Sequence, residues 1–217
     1  EKIREESPHT MTLIEQYYAY LKACNSLDLA TIKRTVAIGL YEGTVPLFPF
    51  TDMIVDEVQD SDELQLLIAI VHGQNGVITS LVGDDDQTIY DWRAACGYQG
   101  MIKFVQECNA EVVRLGENFR SKSEIVEHAT NLIRYNNPNR VEKNQKAERG
   151  PGGFVGGCYQ QDVETEAEWI AGHIAENHTP PYNMAVLSRT NINLDIIETA
   201  LNAAGIPNYR SGTSLWD

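Results

Sequence analysis

The amino-acid sequence predicts an α/β protein built on parallel sheets. Three observations predict it. From Phe50 onward, short apolar runs alternate with stretches of helical periodicity, the rhythm of β-α-β units. Two of those runs, Ile54-Val55 and Leu81-Val82, pass directly into acids, Asp56-Glu57 and Gly83-Asp84. Open parallel sheets place their ligands beyond the carboxyl ends of strands, so acids there are well placed for chemistry. The composition is that of a globular protein: 217 residues, 42% hydrophobic and 22% charged, enough for one or two compact cores.

Each element follows from its local pattern. Residues 1–45 read as helical, with Leu13, Ile14, Tyr17, Tyr18 and Leu21 forming an apolar stripe expected to pack. Gly39, Gly43 and Pro46 end that segment. Met53-Ile54-Val55 is a strand, and a helix from Leu64 to Val71 follows with Asp60 or Ser61 as its cap. Residues 77–82 form a second buried strand, 97–107 a helix and 111–115 a third strand. A second α/β set starts near Asn118. Its first helix, 121–135, carries Ile125, Val126, Ala129, Leu132 and Ile133 on one face, and 136–153 is a polar connector. Then come a strand (154–159), a helix (163–177), a strand (184–188), a helix (193–204) and a strand after Pro207. Trp169 is expected in the core.

Charge and cysteine usage exclude several classes. A net charge of −14 argues against a simple basic DNA-binding module, which works by neutralising phosphates, but leaves room for a local groove on an acidic body. Cys24, Cys96, Cys108 and Cys158 are scattered, without a C-x-x-C pair, so reduced thiols and a cytoplasmic location are expected rather than zinc or disulfides. The five histidines form no ligand pattern. No apolar run approaches the roughly 20 residues of a membrane span, so no membrane partner is expected. The first residue is Glu rather than Met, and the chain is expected to be a fragment or processed form.

An apolar strand holds a carboxylate rigidly at a sheet edge. Adjacent Asp and Glu can then divide the work of nucleotide hydrolysis, one on a magnesium ion and the other on the attacking water. A lone Asp-Glu pair is ordinarily a solvated strand end. Two acid-ended strands in succession, followed by Gln87, favour the nucleotide reading.

The residues at these positions resemble a known family. Val55-Asp56-Glu57-Val58-Gln59-Asp60 resembles helicase motif II of the UvrD/Rep/PcrA group in superfamily 1. Residues 83–95, Gly-Asp-Asp-Asp-Gln-Thr-Ile-Tyr-Asp-Trp-Arg-Ala-Ala, resemble its motif III, and Leu115-Gly116-Glu117-Asn118-Phe119-Arg120-Ser121 its motif IV. Residues 185–191 and 203–207 resemble the following part of the second motor domain. The resemblance runs in order from about 50 to 215.

The resemblance implies two partial RecA-like P-loop NTPase domains: 49–117 in the first, 118–217 in the second, and 1–48 a helical segment closing an inserted subdomain. It implies ATP and Mg²⁺ as cofactors. Asp56 would help coordinate the metal and Glu57 would act on water. Gln87 would contact the γ-phosphate, supported by Asp84, while Asp85 and Asp86 are expected to be structural or solvent-facing. Arg120 would be an arginine finger, against the plainer alternative of a salt bridge. Phe119 would stack on adenine where the family usually carries Tyr. Tyr90, Trp92 and Arg93 would face single-stranded DNA, where aromatic stacking contributes about 1–3 kcal/mol per base. Composition alone would put Trp92 in a core. Arg189, Thr190 and Asn191 would touch the DNA backbone. Gln59 and Asp60 match the motif, with helix capping an equal alternative for Asp60. Lys143 and Lys146 read as solvated loop lysines, with peripheral DNA contacts the alternative.

The family's phosphate-binding G-x-x-x-x-G-K-[ST] is not in this sequence, which contains no Gly-Lys pair. The expectation is therefore a fragment of an ATP-dependent 3′–5′ DNA helicase, acting on single strands and duplex junctions. The fragment itself would hydrolyse ATP poorly. Protein partners in repair, plasmid or defence complexes remain open. So do two alternatives: a non-catalytic helicase-like DNA-binding or assembly module, and the motor part of a helicase-nuclease.

Overall fold

The structure is a computed structural model that describes residues 8–89, 94–135, 139–177 and 183–211. It is a mixed α/β chain of two compact units, 1–154 and 155–217.

In the first unit, α1 (Pro8–Ala23) and α2 (Leu29–Tyr41) precede the sheet. Asp28 caps α2 by accepting from the Thr31 backbone N–H at 2.6 Å. The expected packed stripe on α1 is only partly packed: Leu13, Tyr17 and Tyr18 are exposed, while Ile14 and Leu21 are half-buried. Helical spacing creates an apolar face but cannot supply the surface that buries it.

Strand β1 (Asp52–Val55) pairs in parallel with β2 (Ile78–Leu81), in the register Val55↔Leu81. Helix α3 (Glu63–Gln74) makes the crossover between them. Its cap is Asp62, not Asp60 or Ser61. The Asp62 side chain accepts from the Leu64 and Gln65 backbones, and Gln65 returns a hydrogen bond to the Asp62 N–H, a complete capping box. Lys33 of α2 pairs with the same Asp62 carboxylate. Leu66, Ala69 and Ile70 of α3 and Phe104 of α4 (Gly97–Cys108) form the core, with Met53, Val55 and Leu81 packed against it. The sequence leads one to expect buried strands. Only one face is covered, and Ile54 and Ile78 stand open at 76% and 68% exposure.

His72 of α3 is wholly buried. Its Nε2 accepts from the Phe48 backbone N–H at 3.1 Å and its Nδ1 lies 2.7 Å from the Ile68 carbonyl. The rings of Phe48 and Phe50 stack on it, each at 5.2 Å. This three-ring cluster, with Phe48 and Phe50 also 5.6 Å from each other, fastens the segment that leads into β1.

Past α4 the expected strand 111–115 has no ladder among the described residues, and Val112, Val113 and Leu115 are exposed. β-Branched residues favour extended backbone, but a strand also needs a neighbour with free N–H and C=O groups. Pairing occurs a few residues later instead. There β3 (Glu117–Asn118) meets β4 (Lys146–Ala147) in parallel, inside the stretch read as a connector. Helix α5 (Ser123–Ile133) buries only Val126 of its predicted face; Ile125 and Leu132 are exposed.

The second unit is a helix pair, α6 (Val163–Asn177) and α7 (Asn191–Ala203). Ala167 and Ala171 pack on Ile197 and Leu201, with Val186 and Ile206 at the edge. The expected strands 154–159, 184–188 and after Pro207 are not paired among the described residues, for the reason that applies at 111–115. Trp169 is not core. Two positions from Ala167 it points away from the α6 contact face, is 44% exposed, and stacks on His173 at 5.0 Å.

Candidate functional site

The parallel register carries the ends of β1 and β2 to the same edge. Hydrogen bonding continues past the strands: Val82 N–H donates to the Val55 carbonyl at 2.8 Å, and Val58 N–H to the Val82 carbonyl at 3.0 Å. Asp56-Glu57 and Gly83-Asp84 thus lie side by side.

Asp56 and Glu57 are both exposed on this ledge. Asp56 Oδ1 accepts the Glu57 backbone N–H at 2.9 Å, and its other oxygen is open among the described residues. Glu57 takes the left-handed conformation, φ 50° and ψ 42°, which is unfavourable for a residue with a Cβ and is often found at functional sites. A short 3-10 turn, Val58–Asp60, follows and buries Val58 and Gln59. Asp60 sits in that turn rather than capping α3, with its Oδ1 buried and without a partner among the described residues.

Beyond β2, Asp84 caps a second 3-10 turn, Asp85–Gln87, by accepting from the Asp86 N–H at 3.1 Å. Its other oxygen accepts from Gln87 Nε2 at 2.8 Å. Lys143 does not lie in solvent as a loop lysine. It contacts Asp84, and its Nζ is 2.5 Å from Asp85 Oδ1 and 2.8 Å from Asp86 Oδ2. Arg140 donates to Asp86 at 2.7 Å, and the Val141 backbone N–H to Asp85 at 2.7 Å. Asp85 and Asp86 are therefore structural, in ion pairs. Burial disfavours the charge on Asp84, but hydrogen bonds from Lys143 and Gln87 outweigh it and hold the carboxyl below its ordinary range. Burial also opposes the Lys143 ammonium, and its bonds to Asp84, Asp85 and Asp86 outweigh that and raise its pKa. Three converging carboxylates resemble a metal site, but Lys143 already supplies their counter-charge. Lys146 is exposed and pairs with Glu148 at 2.9 Å.

Asn118, in β3, builds a third feature. Its Oδ1 accepts from the backbones of Arg120 at 3.0 Å and Ser121 at 2.9 Å, an Asx turn that throws Phe119 and Arg120 outward. Arg149 fixes the same turn by donating to the Arg120 carbonyl at 2.7 Å. Phe119 is 69% exposed, and the Arg120 guanidinium has no acid partner among the described residues. The salt-bridge alternative for Arg120 finds no support in this arrangement.

In the second unit Thr190 caps α7 by accepting from the Asn193 N–H at 3.4 Å, and Arg189 and Asn191 are exposed beside it. Arg210 donates to the Asn191 carbonyl at 3.3 Å. Tyr90, Trp92 and Arg93 lie outside the described residues.

The donor set fits part of a magnesium nucleotide. An open carboxylate such as Asp56 is the ligand Mg²⁺ takes singly or in pairs beside phosphates and water. A second carboxylate and a carboxamide stand along the same edge. The open site contrasts with the hollow of this unit, which is lined by Asp85, Thr88, Cys96, Tyr98 and Arg140 and does not include Glu57. Sequence reasoning gave Gln59 no role and read Lys143 as solvated. Motif position marked Gln59, but nothing in the sequence announced the partner of Lys143.

Comparison with known proteins gives two family matches that together span nearly the whole chain. Residues 1–108 match the UvrD/REP helicase N-terminal domain, and 113–215 match the UvrD-like helicase C-terminal domain. The chain is 38% identical over 165 residues to DNA helicase II of Haemophilus influenzae, covering 74% of this chain and 22% of that protein. It is 32% identical over 206 residues to the ATP-dependent DNA helicase Rep of Escherichia coli, covering 90% of this chain and 30% of that one. Against the ATP-dependent DNA helicase PcrA of Bacillus subtilis it is 34% identical over 171 residues, 75% of this chain and 23% of that one. The chain thus spans 22–30% of the length of these relatives.

Proposed function

Because this chain belongs to the UvrD/Rep/PcrA group of superfamily 1 helicases, we propose that the protein carrying it is an ATP-dependent DNA helicase or translocase moving 3′ to 5′ on single strands. The observation that supports this most directly is the shared edge of Asp56-Glu57 and Asp84…Gln87. Side by side there, a metal ligand, a group for the attacking water and a group for the γ-phosphate accord with phosphoryl transfer to water.

In this reading Asp56 holds Mg²⁺, which when bound neutralises charge on the phosphates. Glu57 orients the attacking water and accepts its proton. Gln87, held by Asp84, meets the γ-phosphate. Phe119 offers a face to adenine, and Arg120, free of any structural ion pair among the described residues, supplies positive charge to the transferring group. Tyr90, Trp92, Arg93, Arg189 and Asn191 serve the DNA side. Residues 1–48 close an inserted subdomain, 49–117 belong to the first motor domain and 118–217 to the second. The two family matches divide at 109–112, a few residues before that boundary. The cradle for the inner phosphates is not among these residues, so this chain alone hydrolyses ATP poorly.

Strand displacement by the full-length protein tests the reading. ATP-dependent unwinding of a duplex with a 3′ single-stranded tail, and little with a 5′ tail, is expected. No nucleotide-dependent displacement or translocation on either substrate would sink it in favour of a non-catalytic module.

A further inference from the structure

We propose that Gln59 is a positioning residue that aims the Glu57 carboxylate and ties it to the second acid-ended loop. This rests on the reading of Glu57 as the group that acts on water. Gln59 is 2% exposed, although it stands only two residues from the exposed Glu57. Both ends of its carboxamide are used. Nε2 donates to Glu57 Oε2 at 2.7 Å, and Oε1 accepts the Asp84 backbone N–H at 3.1 Å. The orientation of the amide is forced, because a carboxylate can only accept and a backbone N–H can only donate.

The seat of this side chain is built into the fold. A Cβ placed on Gly83 would stand 2.5 Å from Gln59 Oε1 and 2.9 Å from both Val58 Cγ1 and Met101 Cε. Gly83 therefore leaves room for Gln59 to lie across the end of β2. The Val58 N–H to Val82 carbonyl bond locks the turn that delivers it.

An exposed glutamate ordinarily samples many rotamers. Here one carboxylate oxygen is held by a buried donor, which leaves the other to face water. The bonding continues from Glu57 to Gln59, to Asp84, and from the Asp84 carboxylate to Gln87. A displacement of the Gln87 loop would thus reach the hydrolytic carboxylate through one side chain. Gln59 touches neither nucleotide nor water in this scheme. It acts through Glu57.

The test uses the full-length protein with Gln59→Met, Gln59→Glu and Glu57→Gln. Gln59→Met keeps length and burial but loses both hydrogen bonds. It is expected to lower kcat about 10²-fold, the loss that misplacing a reacting group by about 1 Å brings, with KM for ATP little changed and a modest fall in melting midpoint from the unpaired Asp84 N–H. Gln59→Glu is expected to be worse at neutral pH and to recover relative to Gln59→Met as pH falls, since a protonated carboxyl can donate where the amide did. In ¹⁵N NMR the Gln59 side-chain amide is expected to be protected from exchange, and to shift in Glu57→Gln and in Gly83→Ala. An unchanged kcat per folded site in Gln59→Met, or an amide indifferent to both substitutions, overturns the proposal. Full hydrolysis by Glu57→Gln overturns the reading beneath it, and separates that failure from this one.

Discussion

The Nζ of Lys143 stands 2.5 Å from Oδ1 of Asp85, whose side chain is only 2% exposed. The same ammonium reaches Asp84 and Asp86, so one lysine balances three carboxylates on the turn that carries Gln87. Replacing it by Met would leave three crowded acids with Arg140, on Asp86, as their remaining counter-charge among the described residues. We expect Lys143→Met to cost about 2–3 kcal/mol, somewhat below the loss for a wholly buried pair because part of the cluster meets solvent. Urea denaturation measures it.

The pH dependence of that cost follows from the shifts. Asp84 is depressed on folding, so its contribution is present above its unfolded value, near 3.8, and is lost as pH falls through its lower folded value. Lys143 is raised, so its contribution is complete below its unfolded value, near 10.5, and is lost as pH rises through the higher folded value. The difference in unfolding free energy between wild type and Lys143→Met should be level from about pH 5 to 9 and shrink on both sides. A difference that grows on acidification would contradict the ion-pair account.

Gly83→Ala sets a methyl against Gln59, Val58 and Met101. Crowding of this kind costs about 1–3 kcal/mol. The expected outcome is a lower melting midpoint together with a loss of hydrolysis, because the displaced side chain is the one bonded to Glu57.

His72→Leu preserves bulk but removes the acceptor for the Phe48 N–H and the donor to Ile68. Leaving a buried backbone donor unpaired costs about 1–3 kcal/mol; this one is only partly buried, and chemical denaturation should show a loss toward the low end of that range. Amide exchange should also quicken around Phe48 and Phe50.

Arg120→Ala should reduce hydrolysis in the full-length protein about 10³-fold or more, in the range for an arginine finger, and leave the melting midpoint unchanged. Its guanidinium has no acid to lose among the described residues, so a stability loss comparable to a broken salt bridge would restore the plainer reading.

The parts of this molecule legible in its sequence are those governed by near neighbours. The acid-ended strands were readable because apolar runs passing into acids name both the strand and its end. Helices α4 and α6 fall within a residue of the expected 97–107 and 163–177. The cap of α3 was missed because Asp60, Ser61 and Asp62 are all good caps, and only the reciprocal bond from Gln65 selects the third. Lys143 was missed because its partners lie far back in the chain, joined by folding rather than spacing. The apolar runs at 111–115, 154–159 and 184–188 show the opposite error. Their composition favours strands, but no described edge pairs with them.

Glu57→Gln in the full-length protein tests the account most directly. The substitution keeps the shape of the side chain and removes the carboxylate that would take the proton from water. The account predicts nucleotide binding close to wild type, measured with a fluorescent ATP analogue, and DNA-stimulated hydrolysis reduced by about 10³-fold or more. Turnover within a few fold of wild type would contradict it and remove Glu57 from the chemistry.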